Sequence, residues 1–448
     1  MRIGKEIALL LAVMLAAGSC SLYRDYTSPA PDAGEAQSDS TTLASIGWKD
    51  FFEDVNLRNL IQTALDNNTD LNVARLRVIE SQASLKAAKW AFFPSVSAGP
   101  SFNYNYSEPR YSGSADSYSV PVNASWEVDL GGGLVNRARK AQTALDQSEI
   151  YVRSLQTELI AGIAEYYYTL LKLDAQLEIS RTTAASWTEN VRIMKAMKEA
   201  GMTNEASVAQ TEANACSIEA SLYDLEYQVG ECERALCVLA GIDPCHIERS
   251  SISETRMSDA FGYEVPVQML SRRADVQYAE KNMRLAFYDT AIAKAAFYPS
   301  IRITPSIGWD KALTSPAGWL VSVGAGLTQP LFARGALKSN LTIAEQRQEE
   351  AAAAFRQILL KAGSEVSDAL AICASAQGKT DVRIRQINAL ESAVVSTREL
   401  MHHSESTYLE VLTAQQSLLS ARLLQVSDRY DLLRGTVSLY RALGGGAE

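Results

Sequence analysis

Stretches of strict alternation between apolar and polar residues occur at four places along this chain. From Ser95 to Tyr106 one row holds Val96, Ala98, Pro100, Phe102, Tyr104 and Tyr106, and the other holds serines, asparagines and Gly99. From Ser117 to Leu130, the residues Tyr118, Val120, Val122, Ala124, Trp126, Val128 and Leu130 alternate with Pro121 and small or acidic residues. The pattern returns over 300–309 with Ile301, Ile303, Pro305, Ile307 and Trp309. It returns again over 319–329 with Trp319, Val321, Val323, Ala325 and Leu327, where only Leu320 breaks the rule. A period of two predicts strands with one apolar face. Their lengths match the ~9–11 residues of a membrane-crossing strand. Tyr104, Tyr106, Tyr118, Trp126, Trp309 and Trp319 fall near strand ends, where membrane-interface aromatics collect. The polar rows are mostly small and uncharged, which suits a wet lumen; a soluble sheet with one wet face has the same period. The connecting stretches Ser107–Asp116 and Asp310–Gly318 are expected to face outward.

The rest of the chain is patterned as helix. No proline occurs between Leu134 and Met197, where Leu145, Val152, Leu159, Tyr166 and Leu173 recur every seven residues beside a row of Ile163, Leu170 and Leu177. A helix of that length reaches roughly 90–100 Å at 1.5 Å per residue. Near the end, Leu412, Leu419, Val426, Leu433 and Tyr440 form one row, and Leu409, Leu423, Tyr430 and Val437 another. Two offset seams let a helix pack against a neighbour on each side. The wall of a helical tube requires this, although a filled coiled-coil bundle shares the periodicity.

The chain also repeats itself. Ala88-Lys89-Trp90-Ala91-Phe92-Phe93-Pro94-Ser95 reappears as Ala293-Lys294-Ala295-Ala296-Phe297-Tyr298-Pro299-Ser300. The match runs on to Pro100-Ser101 and Pro305-Ser306 and back to Asp70 and Asp275, and Val208 and Val411 sit at related helix starts. Residues 20–264 are read as the first repeat, including a polar connector from Asp243 to Tyr263, and 265–448 as the second.

No later segment has the ~20 consecutive apolar residues of a spanning helix, so any membrane crossing falls to the strands. Four strands close no barrel, since the smallest have about eight and fill their own interior. An open sheet edge in lipid is forbidden. Two copies give little lumen, whereas three give about twelve strands and a passage, so a homotrimer is expected.

The N-terminus places the chain outside the cytoplasm. Arg2 and Lys5 precede an apolar run from Ile7 to Ala17 and then Gly18-Ser19-Cys20. This reads as a secretory signal over residues 1–19. A cysteine after small residues is the lipoprotein pattern, with Cys20 the acylated first residue of the mature chain. Ala17 stands where leucine is usual, and an ordinary cleaved signal is the alternative.

Composition removes other function classes. The 448-residue chain is 47% hydrophobic and 21% charged, with a formal net charge of -10, which argues against a nucleic-acid partner. Cys216, Cys232, Cys237, Cys245 and Cys373 show no metal-binding spacing. Cys237 and Cys245 could bridge in an oxidising compartment, or serve as small apolar fillers between helices. The histidines are His246, His402 and His403; the adjacent pair cannot turn to one metal on a helix side. No metal, cofactor or catalytic site is expected, because no nucleophile-elbow, phosphate-loop or paired-carboxylate motif stands in a suitable context.

The fragments that punctuate the two repeats carry a resemblance. They begin with Gly47-Trp48-Lys49-Asp50-Phe51-Phe52, Leu57 to Leu65 and Phe92-Phe93-Pro94. Val265-Pro266, Leu270-Ser271-Arg272-Arg273-Ala274-Asp275-Val276, Ala279-Glu280 and Phe297-Tyr298-Pro299 follow. The last are Pro330-Leu331-Phe332, Glu365 to Leu370, Tyr408-Leu409-Glu410-Val411-Leu412 and Leu443-Gly444-Gly445-Gly446. In this order the chain resembles the outer membrane factor family of tripartite efflux and secretion systems, the TolC-like proteins and especially the lipidated OprM/NodT-type members. It departs from them at Ala274, where proline is usual, and at Ser404, where glycine is common.

The resemblance implies a mainly α fold with a small transmembrane β-barrel part: a trimeric barrel of twelve strands on a long α-helical periplasmic barrel. It implies an outer-membrane exit channel, lipid-anchored and extending into the periplasm. Its partners would be outer-membrane lipid, a periplasmic adaptor and an inner-membrane pump of the resistance-nodulation-division type. The exit duct of a type I secretion system is the alternative within this class, and a lipid-anchored scaffold without a pore is the alternative outside it. Family members carry acidic rings at the periplasmic gate; Glu410 matches one position and uncharged Thr413 the other. A ring of Glu410 would favour cations, although a helix-start glutamate at this position also suits the helix dipole. Two helix-turn-helix tips would dock the adaptor: one at Gly201, Met202 and Thr203, the other between His402 and Thr407 with Ser404, Glu405 and Ser406.

Overall fold

The computed structural model describes residues 25–27, 47–105, 115–255, 272–311, 318–330, 332, 334–402 and 408–445. Most of them are helical. In chain order the elements are α1 (Trp48–Phe51), α2 (Val55–Asn67), α3 (Thr69–Trp90), β1 (Ser95–Ala98), β2 (Ser101–Asn105), β3 (Ala115–Val128), α4 (Gly133–Glu199), α5 (Glu205–Ala240), α6 (Ala274–Ala295), β4 (Ser300–Lys311), β5 (Gly318–Thr328), α7 (Ala336–His402) and α8 (Tyr408–Ala442). The lengths recur: α3 and α6 have 22 residues each, α4 and α7 have 67 each, and α5 and α8 have 36 and 35. At 1.5 Å per residue the two longest are each about 100 Å. No helix among the described residues is long and apolar enough to cross a membrane. The chain divides into two compact units.

The unit built from residues 75–150 and 277–358 contains the sheet. Its strands are antiparallel in the order β1–β3–β4–β5, with β2 also on β3. The strand expected over 95–106 is interrupted at Gly99-Pro100, because proline has no N–H to give a neighbour. Both pieces nevertheless keep one register on β3, from Ser95 opposite Ser125 to Ser101 opposite Ser119. The Gly99 N–H donates to Pro121 O at 3.3 Å across the break. The expected 117–130 strand runs instead from 115 to 128. Asp129 leaves it because its carboxylate accepts the Val135 N–H at 2.9 Å, which starts α4. The β3–β4 ladder skips Ala124 and Ser125, where Pro305 withholds a donor. Gly308 lies opposite Pro121. A Cβ there would come within 2.7 Å of Pro121 Cα, so the close approach of the two backbones demands glycine. In the same unit α4 runs antiparallel to α6, tied by Lys140–Asp289 at 2.6 Å and Lys281–Asp146 at 3.0 Å. Thr290 of α6 donates to Ala344 O of α7 at 3.1 Å.

The second unit, built from residues 32–74, 151–276 and 359–448, holds the helical packing. Its long helices lie in the order α5–α4–α8–α7, each antiparallel to the next. Arg181–Glu226 (2.8 Å) and Lys195–Glu212 (3.3 Å) join α4 to α5. Asn190–Gln415 (2.9 Å) and Arg434–Glu165 (3.0 Å) join α4 to α8. Arg383–Asp428 and Arg422–Glu391, both 2.8 Å, join α7 to α8. The row Ile163, Leu170 and Leu177 is buried throughout, but Tyr166 of the neighbouring row is exposed while Tyr167 and Tyr168 are buried. The cause is what covers α4 there. Tyr167 OH donates to Asp54 at 2.8 Å and accepts the Ser250 N–H at 3.1 Å. The segment before α2 and the connector thus close over this side. The connector, read from sequence as polar, buries Ile247 and Ile252.

Candidate functional site

The sheet is the first functional surface. Its register lines up apolar residues across strands: Val122, Ile307 and Val321 share one row, Trp126, Ile303 and Ala325 another, and Val128, Ile301 and Leu327 a third. Val120 pairs with Trp309, and Trp309 with Trp319, their indole rings edge-on at 5.6 Å. Val96, Phe102, Val120, Trp319, Val321, Val323 and Leu327 are exposed, so one whole face is greasy and uncovered within the chain. An exposed continuous apolar face marks an interface with lipid or protein. The opposite face is hydroxyl-rich: Ser101 and Ser119 bond at 2.7 Å, as do Ser306 and Ser322, and Arg302 reaches Glu127 at 3.6 Å. Both halves anchor the sheet at the Phe-x-Pro motifs. Trp126 Nε1 donates to Phe92 O, and Gln329 Nε2 to Phe297 O, each at 2.9 Å.

The tip between α4 and α5 is built by local rules. Met202 N–H reaches back to Met197 O at 2.9 Å, a helix-end turn that needs a left-handed residue, and Gly201 supplies it at φ 74°. Asn204 then caps α5 by accepting the Ser207 N–H at 2.9 Å. Met202 is 70% exposed and nothing lies within 4 Å of Gly201's Cβ position, so the tip is a free surface of the described chain.

At the start of α8, Val411 and Leu412 are buried, Leu412 in a cluster with Trp187 of α4 and Ile218 of α5. That packing turns Glu410 and Thr413 outward to exposed positions on one helix face, three residues apart. Glu410 lies in the first turn. The Thr413 hydroxyl donates back to Leu409 O at 2.9 Å, so its proton is engaged by its own helix. Cys20, Ser404, Glu405 and Ser406 lie outside the described residues, as do residues 1–19, Tyr106, His403, most of both strand-connecting stretches and residues 256–271. The side chains of Tyr104, Tyr118 and His402 are likewise outside the description.

Sequence reasoning missed the polar clamps of the helical unit. Arg273 is buried; it donates to Asp275 (3.0 and 2.7 Å), Glu365 (2.6 Å) and Ala442 O (3.0 Å). It thereby joins the start of α6, the middle of α7 and the end of α8. Burial works against its charge, but the two carboxylates more than compensate and raise its pKa. Burial likewise pushes the Tyr167 phenol up to about 12, offset in part by the Ser250 N–H and reinforced by Asp54. Arg249 bridges Asp174 and Glu233 of α4 and α5. Arg273 and Asp275 are neighbours in the Leu270–Val276 stretch, but Glu365 and Ala442 are far away in sequence.

A sheet with one greasy and one hydroxylated face suits a channel wall, and comparison with known proteins gives the chain a family. The profile of the family described as outer membrane efflux protein matches residues 60–241 and 265–445. The chain belongs to the outer membrane efflux protein family. The probable efflux pump outer membrane protein TtgC of Pseudomonas putida is 29% identical over 99% of this chain and 96% of its own length. The probable outer membrane lipoprotein SilC of Salmonella typhimurium is 26% identical over 98% of each chain. A solved structure of CusC superposes with a TM-score of 0.85 at 26% identity, covering 94% of this chain and 99% of that one. This outer membrane efflux protein is an exit channel of an efflux system and resides in the outer membrane. Its family is one of channels.

Proposed function

We propose that three copies of this chain close one outer-membrane barrel, and that the duct so formed receives substrate from a periplasmic adaptor and a resistance-nodulation-division type pump. The observation that carries this reading is the open sheet: β5 and the β1/β2 strand each pair with one neighbour, while the apolar face runs unbroken across all strands. In lipid, unpaired edge amides cost several kcal/mol apiece, so β5 of one copy must pair with β1/β2 of the next. Three copies give about twelve strands and a lumen lined by the hydroxyl-rich face. Residues 1–19 are the signal, and 20–264 and 265–448 are the two repeats of one protomer.

Cys20 carries the lipid anchor. In support, Asp25, five residues on, pairs with Arg139 at 2.9 Å in the unit that holds the sheet. Five residues span at most about 17 Å, which keeps an acyl chain near the barrel. The Gly201-Met202-Thr203 tip and its counterpart at Ser404, Glu405 and Ser406 dock the adaptor, and Glu410 with Thr413 lines the periplasmic gate. Thr413 adds no charge, so the gate has one acidic ring.

Detergent-purified protein in a planar bilayer tests the reading. Light scattering is expected to give a trimer. Stepwise conductance is expected with cation preference, and Glu410→Gln is expected to weaken that preference. A monomer in detergent, or silence from both proteins, overturns it.

A further inference from the structure

The end of α5 and the connector hold two thiols in contact. Cys237 is buried in the last turn of α5, and Cys245 is exposed in the non-helical segment that follows. Their sulfurs lie 3.9 Å apart. The Cys245 N–H points at the Cys237 sulfur at 3.4 Å, and the Cys237 S–H reaches Cys245 O at 3.6 Å. The connector backbone is therefore folded over the Cys237 side chain, and the sulfurs have only to close from 3.9 Å to the about 2.05 Å of a disulfide.

The turn between them is already held. Ile242 N–H donates to Cys237 O at 3.0 Å, and Asn68 Nδ2 donates to Leu239 O at 3.0 Å, pinning the turn to the α2–α3 junction. Closing a bond across a preformed turn orders nothing further. The other described cysteines are engaged elsewhere: Cys232 donates to Tyr166 O at 3.3 Å, Cys373 faces Thr436 at 3.9 Å, and Cys216 is exposed on α5. An outer-membrane protein matures where disulfides persist.

We propose that Cys237 and Cys245 are oxidised to a disulfide in the mature channel, a staple that closes the C-terminal turn of α5 onto the connector between its two halves. The oxidant is the disulfide of a periplasmic dithiol protein. The Cys245 thiolate attacks one oxidant sulfur to form a mixed disulfide. The deprotonated Cys237 sulfur then attacks Cys245 and releases the reduced dithiol. Two S–H bonds are lost, one S–S bond forms, and the oxidant takes up both electrons and both protons. The Cys245 thiol is held above its ordinary pKa by its hydrogen bond to Cys237, by slight desolvation and by the carboxylates of Glu233 and Asp243. Spontaneous attack is slowed accordingly, so a catalysed exchange is the route in.

Trypsin releases both cysteines in one peptide, Ala235 to Arg249. Full-length protein from the outer-membrane fraction is acid-quenched, denatured, alkylated without reduction and mapped by mass spectrometry. The expected result is a peptide two hydrogens lighter than its dithiol form, free of alkyl label, beside labelled Cys216, Cys232 and Cys373. Prior reduction is expected to label both of its sulfurs, and Cys245→Ser to expose Cys237 to label. Alkylation of both thiols in unreduced outer-membrane material, or a crosslink joining either of them to another cysteine, overturns the staple.

Discussion

Replacing Arg273 by alanine tests whether the helical unit depends on a buried charge that local sequence gives no reason to single out. Arg273 is 6% exposed, and its guanidinium serves Asp275, Glu365 and the carbonyl of Ala442. Hydrogen bonds to charged groups contribute about 1.5–3 kcal/mol each. The Asp275 and Glu365 side chains keep 44% and 30% of their surface in water, so both re-solvate in part and the low end applies. The Ala442 carbonyl, which the buried guanidinium now serves, loses that donor. The expected cost is about 3 kcal/mol, near the range for breaking a buried ion pair by deleting one partner. For large domains that corresponds to a Tm lower by roughly 6 °C. The assay is helical circular dichroism of detergent-solubilised protein, melted at several scan rates because oligomeric membrane proteins unfold irreversibly. Arg273→Lys is expected to recover only part of the loss, since an ammonium cannot reproduce the two-pronged contact with Asp275. An alanine variant that melts with the wild type, or a lysine variant that restores it fully, refutes the reasoning.

The same clamp predicts an acid response: Arg273 and the Val276 N–H hold the Asp275 carboxyl below its ordinary 3.8 despite burial. A carboxylate depressed by folding contributes all its stability above its unfolded value and loses it as pH falls through the folded one, so Tm is expected to drop below about pH 4, and less steeply in Asp275→Asn. Gly308→Val would push a Cβ to 2.7 Å from Pro121 Cα and 2.8 Å from Val120 O, costing about 1–3 kcal/mol at the β3–β4 seam. Less protein is then expected in folded form in the outer-membrane fraction, whereas Gly326→Ala, with open space around it, is expected to assemble normally. Gly201→Ala strains a left-handed residue by about 1–2 kcal/mol, and amide exchange is expected to quicken around 198–208 with Tm unchanged.

Much of this architecture follows from the residues alone. Alternation over 95–106 and 300–309 announces the strands found at 95–98, 101–105 and 300–311 and assigns Ile301, Ile303 and Ile307 to one face, because a pleated backbone sends successive side chains to opposite sides whatever lies nearby. Proline-free stretches with heptad rows of apolar residues announce α4 and α8, since helix geometry is also set residue by residue. The turn at Gly201 is local in the same way, closed by a left-handed glycine and the Asn204 cap.

Other features exist only once distant segments meet. Pro100 breaks a strand without breaking its register, because β3 holds both pieces in line. Tyr166 is exposed and Tyr167 buried because the segment before α2 and the connector cover one side of α4. Arg273 is a clamp because Glu365 and Ala442, 92 and 169 residues further on, arrive beside it. The two kinds of feature differ in range. Backbone sterics and side-chain period act over a few residues and are written in the order of the amino acids. Burial and hydrogen-bond partnership depend on which segments share a volume, and packing of the whole chain decides that.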